Sequence, residues 1–241
     1  MVNDPDLPRP SSTVVLVRPG ADAPEVFMVK RHARASFGSK FAFPGGVLED
    51  SDSKVLAHCD GISAGQANQL LSLESGGLEY YSAAIRELFE ESGVLLAKHR
   101  LSGSALHNAR VALNAGTLDW HQFALESELI LQCDRLHYFS FWITPAGAPK
   151  RYSARFFLAK VPQAQAACHD GGELTESCWM TAADILAARK AKAMKLPYVT
   201  RKTLKRVARL PDTAALVEWA AACGTRGVVV DRPAFRAKEF S

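Results

Sequence analysis

The sequence predicts a mixed α/β domain, on three observations. An amphipathic helix ends in an acid-rich turn, Arg86-Glu87-Leu88-Phe89-Glu90-Glu91-Ser92-Gly93-Val94. A β-branched apolar run at Thr13–Val17 and an aromatic pair of runs at Leu136–Ile143 and Tyr152–Val161 read as strands. Helical and extended segments follow each other without strict βαβ alternation. With 241 residues, 48% hydrophobic and 22% charged, the chain has the composition of a globular protein able to bury a sizeable core.

In chain order, residues 1–11 hold three prolines and no apolar h-region, and read as a flexible arm rather than a signal peptide. Thr13–Val17 and Val26–Val29 pair as a hairpin across the turn Pro19–Pro24, and Lys30–Lys40 is a basic loop. Residues 53–77 interrupt the pattern. Gln66–Leu73 forms a short helix there, and Ser75-Gly76-Gly77 breaks it before the acidic helix. Helices are expected at Ala105–Leu113 and Trp120–Leu131, then the hairpin 136–161 with its turn at Pro145–Pro149. An acidic loop follows at His169–Thr175, a short strand at Ser177–Met180, and helices at Ala182–Ala191, Thr200–Ala208 and Thr213–Cys223.

The acidic helix carries the chemistry. Glu87, Glu90 and Glu91 stand at i, i+3 and i+4, within about 100° of the helix circumference. Tyr81, Ala84, Ile85, Leu88 and Ser92 form the opposite, core-facing side. Gly93 stands where a left-handed residue closes a helix. Carboxylates near a helix C-terminus oppose the macrodipole by about 0.3–1 kcal/mol each, and Glu87 and Glu91 repel by about 0.2–0.5 kcal/mol. Arg86 offsets part of this by pairing with Glu90. A divalent cation offsets more, and oxygen ligands suit Mg²⁺ or Mn²⁺. The bland alternative is a solvated acidic face.

Arg86 to Val94 resembles the second half of the Nudix box, R-E-U-x-E-E-x-G-U with U aliphatic, at every specified position. Phe43-Pro44-Gly45-Gly46 resembles the entry to its first half, and Asp52 lies six residues after Gly46, where the box has an acid. The 34 positions from Asp52 to Arg86 far exceed the family spacing, so the resemblance places an insert, 53–77, inside the box. With the insert upstream instead, the acid position would fall at Leu78, next to Glu79. Phe43–Glu49, Ala84–Glu91, Arg151–Phe157, Glu173–Trp179 and Leu196-Pro197 together resemble the coenzyme A and acyl-coenzyme A diphosphatases of the peroxisomal Nudix 19 type and their bacterial relatives. Ser39 stands where a coenzyme A signature has glycine.

The resemblance implies an α/β/α sandwich around a mixed sheet, with a helical insert in the box and a helical C-terminal extension. Its domain spans 12–208, followed by an extension at 209–241. It implies hydrolysis of a diphosphate linkage in coenzyme A or an acyl derivative. ADP-ribose, dinucleotides and other nucleoside diphosphate derivatives are the alternative substrates, and a non-catalytic ligand-binding module is the alternative class. It assigns Glu87, Glu90 and Glu91, with the Gly46 carbonyl, as ligands of Mg²⁺ or Mn²⁺, and Arg86 as the group that orients Glu87. Glu173, in a Gly-containing loop, is the general-base candidate, with Glu176 as runner-up. Arg31, Arg34, Lys40 and Arg155 are candidates for substrate phosphates.

The net charge of +4 suits anionic ligands, while no dense basic stripe interleaved with aromatics argues for nucleic acid. The basic residues from Arg189 to Lys195 and from Arg201 to Arg209 read as wet helix faces. Five cysteines without a C-x-x-C pair argue against a disulfide framework or a zinc site and for a reducing, cytoplasmic setting. No apolar run reaches the ~20 residues of a membrane span. The expected partner is a small molecule, with a homodimer as a compatible assembly.

Overall fold

The protein is described from a computed structural model, which covers residues 7–31, 40–169 and 174–234, with Arg31 described by its backbone alone. Strand β1 (Arg9–Arg18) turns into β2 (Glu25–Arg31), and the short β3 (Phe41–Ala42) and β4 (Gly45–Val47) follow. A 3₁₀ segment, Asp50–His58, leads to β5 (Cys59–Asp60), α1 (Ala64–Leu71) and α2 (Gly77–Ser92). Next come β6 (Ala97–Lys98), α3 (Gly103–Asn114), α4 (Trp120–Glu126), β7 (Ile130–Gln132), β8 (His137–Ile143), β9 (Tyr152–Lys160) and β10 (Leu174–Thr181). Helices α5 (Ala182–Lys190), α6 (Tyr198–Val207) and α7 (Thr213–Arg226) and strand β11 (Val230–Asp231) complete the described chain.

The main sheet runs β10-β2-β1-β9-β8-β11, with β3 on β2 and β4 on β1. It is mixed: β1 lies parallel to β9 and β11 parallel to β8, and the other pairs are antiparallel. Both faces are covered, because the alternate side chains of one strand feed two cores. Val14, Leu16, Phe27, Val29 and Phe157 pack with α2 residues such as Tyr81, Ile85 and Leu88. Val15, Val17, Val26, Met28 and Leu158 pack with Ile185 of α5, Leu204 of α6 and Leu216 and Ala220 of α7. The result is the expected α/β/α sandwich.

Several boundaries move. Strand β1 begins at Arg9, inside the expected arm, because Arg9–Ser11 already pair with Tyr152–Ala154 of β9. The helix expected over Trp120–Leu131 stops at Glu126. Glu128 turns the chain at φ 47°, and Leu131 is drawn into a second, small sheet, β5-β7-β6. The insert is no appendage: its Val55, Ala67 and Leu71 are buried in the α2-side core. Asn68 Oδ1 accepts a 2.7 Å hydrogen bond from the Gly77 N–H at the start of α2. Residue 208 is not a structural boundary either, since α7 supplies part of the second helical layer and β11 extends the sheet.

Candidate active site

Helix α2 brings the acids together. It closes where the sequence places its end, with Gly93 at φ 77° donating to the Phe89 carbonyl at 2.8 Å. Its acidic side is not a solvated face: Glu87 and Glu91 are buried, at 9% and 8% exposure. Elements before the insert fold over that side and supply its partners.

Arg86, 1% exposed, is the hub. Its Nε and Nη2 donate to Asp52 Oδ1 and Oδ2 at 3.1 and 3.0 Å, a two-pronged pair. Nη2 also donates to the Val47 carbonyl at 2.9 Å, and Nη1 to Glu87 Oε1 at 3.0 Å and Glu90 Oε2 at 3.3 Å. Burial works against the guanidinium charge, but Glu87, Asp52 and Glu90 outweigh it and hold Arg86 above its ordinary range. Asp52 is fixed further by the Ser82 hydroxyl at 3.2 Å, and Ser82 in turn accepts from Trp120 Nε1 at 3.1 Å. Sequence reasoning did not find Ser82 or Trp120. Ser82 left one trace, because it precedes Arg86 by four residues and so shares its helix face.

The glycines of β4 complete the arrangement. The Gly45 N–H donates to Glu91 Oε2 at 2.9 Å. A Cβ at Gly46 would run into the Glu87 carboxylate, so only glycine allows that close approach. Glu90 is 20% exposed, and its carboxyl is pushed up to about 7. Burial is the main cause, with Glu87, Glu49 and Asp52 adding to it and Arg86 opposing it.

Beside these acids lies a cavity of about 370 Å³. Its lining includes Gly46, Glu87, Glu91 and Lys40 and the aromatic side chains of Trp142, Tyr152, Phe156 and Tyr198. The β1–β9 register sets which strand residues reach it. Ser11, Thr13, Ala154 and Phe156 face the cavity side of the sheet, while the intervening Ser12 and Arg155 face α2, where Ser12 Oγ donates to the Tyr80 carbonyl at 2.7 Å. Burial, and then Lys195, lower the Lys40 ammonium below its ordinary range. Sequence reasoning missed the aromatic lining, though the stretches around Arg151–Phe157 and Leu196-Pro197 that carry the family resemblance border the cavity.

The other predicted residues divide. Arg155 is not at the cavity. It is 4% exposed, its guanidinium lies between the rings of Tyr80 and Phe141 at 4.2 and 4.3 Å, and its Nη2 donates to the Leu71 carbonyl at 3.2 Å. Strand alternation turns it to the α2 side, so the structure corrects its assignment to substrate phosphates. Glu176, in edge strand β10, pairs with Lys30 at 2.9 Å and does not line the cavity. Arg34 and Glu173 lie outside the described residues, as does the side chain of Arg31.

The family model of the NUDT19 Nudix domain matches residues 64–210, more than half of the chain. The chain belongs to this Nudix family. The match begins after Gly45-Gly46 and Asp52. The Asp52–Arg86 pair ties the segment before the insert to α2. The protein is similar to putative nudix hydrolase 7 of Caenorhabditis elegans, 30% identical over 189 residues, which cover 78% of this chain and 57% of that protein. The chain thus spans little more than half the length of that curated relative. Among solved structures it is similar to a NUDIX hydrolase from Alicyclobacillus acidocaldarius, with a TM-score of 0.74 and 23% identity over 88% of this chain and 96% of that one, a likeness of fold. No helix among the described residues is long and apolar enough to cross a membrane.

The donor set suits a hard divalent cation. Glu87, Glu90 and Glu91 offer carboxylate oxygens from one helix end, two of them at the cavity. Among the described residues no three acids already form a metal-ready group. Glu87 and Glu90 share Arg86 Nη1, and Glu91 accepts from Gly45.

Proposed function

We propose that this Nudix domain hydrolyses the diphosphate linkage of a nucleoside diphosphate derivative, with coenzyme A or an acyl-coenzyme A as leading substrate and Mg²⁺ or Mn²⁺ as cofactor. The observation that carries this reading is the buried Arg86. It binds Asp52 from one half of the box and Glu87 and Glu90 from the other, at the edge of a cavity with acids and aromatic side chains in its lining.

Each residue has a role. Glu87, Glu90 and Glu91, with the Gly46 carbonyl, hold the cation, which when bound neutralises phosphate charge and lowers the pKa of water. Arg86 fixes the Glu87 carboxylate through a charge-assisted hydrogen bond. Asp52 keeps Arg86 from swinging toward the substrate. Lys40 meets a phosphate oxygen in the cavity, and its lowered pKa reflects burial beside Lys195. The aromatic lining takes an apolar or ring-bearing part of the substrate and excludes water from it. Glu173 stays the proposed general base, with Arg31 and Arg34 as further phosphate contacts.

The test is a substrate panel of coenzyme A, an acyl-coenzyme A, ADP-ribose and a dinucleotide, with Mg²⁺, Mn²⁺ or chelator, and with products identified. Metal-dependent cleavage of a diphosphate is expected, fastest for the coenzyme A compounds. Faster turnover of ADP-ribose would keep the reaction and overturn the substrate. Tight binding without turnover of any of them would overturn the reaction.

A further inference from the structure

Of the basic residues late in the chain, Lys190, Lys202 and Lys205 are exposed, as on a wet helix face, and they share one groove. Arg189 and Lys190, in the last turn of α5, and Arg201, Lys202 and Lys205 of α6 converge on a groove of about 660 Å³. That groove shares Tyr198 and Pro233 with the cavity beside Glu87 and Glu91. Tyr198 stands between the two spaces. Trp142 holds its ring at 6.1 Å on the cavity side, and Arg201 and Lys202 lie over it at 5.2 and 5.4 Å.

The cations on α6 work against the helix that carries them. Arg201 sits near its N-terminus, where positive charge opposes the macrodipole, and the first turn holds no acid to balance it. Arg201 and Lys205 at i, i+4 and Lys202 and Lys205 at i, i+3 repel. Among the described residues none of Arg189, Lys190, Lys202 and Lys205 has a carboxylate partner, whereas Arg206, on the same helix, pairs with Asp231 at 3.2 Å. Neutralisation by an anion would relieve this repulsion. The groove and the cavity share Tyr198 and Pro233 as lining, so one ligand lying across Tyr198 would reach both.

We infer that the α5–α6 groove is a second anion subsite, which takes a phosphate monoester carried by the substrate in addition to its diphosphate. This rests on the diphosphatase reading for the neighbouring cavity. The acids and their cation handle the linkage that is cleaved, the aromatic lining with Tyr198 holds the intervening ring system, and the five cations meet the far phosphate. A substrate lacking that phosphate leaves Arg189, Lys190, Lys202 and Lys205 without a counter-charge among the described residues, which is a basis for selectivity.

Two measurements on the full chain separate this subsite from the reaction. The first is calorimetric titration, near physiological salt, with adenosine 3′,5′-bisphosphate and with adenosine 5′-monophosphate. The bisphosphate should bind at least about tenfold tighter, and the double variant K202Q/K205Q, checked for folding by circular dichroism, should lose that advantage. The second is kcat/KM for coenzyme A against 3′-dephospho-coenzyme A. The ratio should be about ten or more in the wild type and fall to about one in the double variant. Turnover of both at equal efficiency in the wild type would overturn the subsite and leave the diphosphatase reading intact. No turnover of either, with lysine-dependent bisphosphate binding, would sustain the subsite and overturn the reaction. Binding of a single-stranded oligonucleotide through the same lysines, without binding of the bisphosphate, would make the groove a nucleic-acid surface and overturn the proposal.

Discussion

Asp52 and Arg86, 34 positions apart, meet in a buried two-pronged ion pair, with Nε to Oδ1 at 3.1 Å and Nη2 to Oδ2 at 3.0 Å. The pair spans the insert and holds the guanidinium whose Nη1 reaches Glu87 and Glu90 on the end of α2. Removing one partner of a buried pair leaves a charge without compensation, which costs about 3–5 kcal/mol.

Asp52→Ala should therefore lower the melting temperature by roughly 10 °C, at about 2–4 °C per kcal/mol for a chain of this size. Glu49→Gln should change it little, because Glu49 stands 3.7 Å from Arg86 with its side chain 57% exposed. Thermal melts of the two variants side by side decide the point, and equal shifts would deny Asp52 its structural role.

Glu90→Gln and Glu91→Gln should each reduce turnover by at least about a hundredfold, the scale for losing one electrostatic group at a reacting centre. Size and hydrogen-bonding capacity persist, so circular dichroism should show an unchanged fold. Glu90 contacts Arg86 at 3.3 Å and Glu91 contacts the Gly45 N–H at 2.9 Å, and an amide oxygen can keep both. Activity near wild type at saturating metal in both variants would remove the metal assignment.

The metal-free protein should carry a pH signature from Glu90. Its carboxyl is raised from an ordinary 4.5 to about 7, so between those values the folded state binds more protons than the unfolded one. The stabilisation is full below about 4.5 and is lost as pH rises through about 7. The melting temperature of the chelated wild type, relative to Glu90→Gln, should fall across that window. Added Mg²⁺ should offset the fall above pH 7, where the carboxylate is charged. Parallel curves for the two proteins would contradict this.

Arg155→Met should alter stability and leave substrate selection alone. The guanidinium lies between Tyr80 and Phe141 with its Nε buried and without a hydrogen-bond partner among the described residues. Arg155→Met removes the donor to the buried Leu71 carbonyl, at about 1–3 kcal/mol, whereas Arg155→Ala also leaves a hole, worth about 2–5 kcal/mol. Urea denaturation of both variants, with the coenzyme A to 3′-dephospho-coenzyme A ratio, checks the split. A changed ratio in Arg155→Met would return Arg155 to the binding site.

By itself the sequence determined the elements whose signals are local. The period of the apolar residues and Gly93 set α2 and its end, and the aromatic runs set β8 and β9 nearly to the residue. The spacing of Glu87, Glu90 and Glu91 put them on one face, and the box pattern named the family.

Tertiary structure decided what depends on contacts between distant segments. Whether Asp52 or a residue near Leu78 completes the box is a question of which acid reaches Arg86, and only the fold of residues 50–58 over α2 answers it. Arg155 was misplaced because a basic residue in a strand reads the same on either face, and the face is set by register against β1. The α5–α6 cations looked like separate wet faces because spacing along one helix is silent about the neighbour it packs on. Their convergence beside Tyr198 exists only once both helices lie on the same side of the sheet.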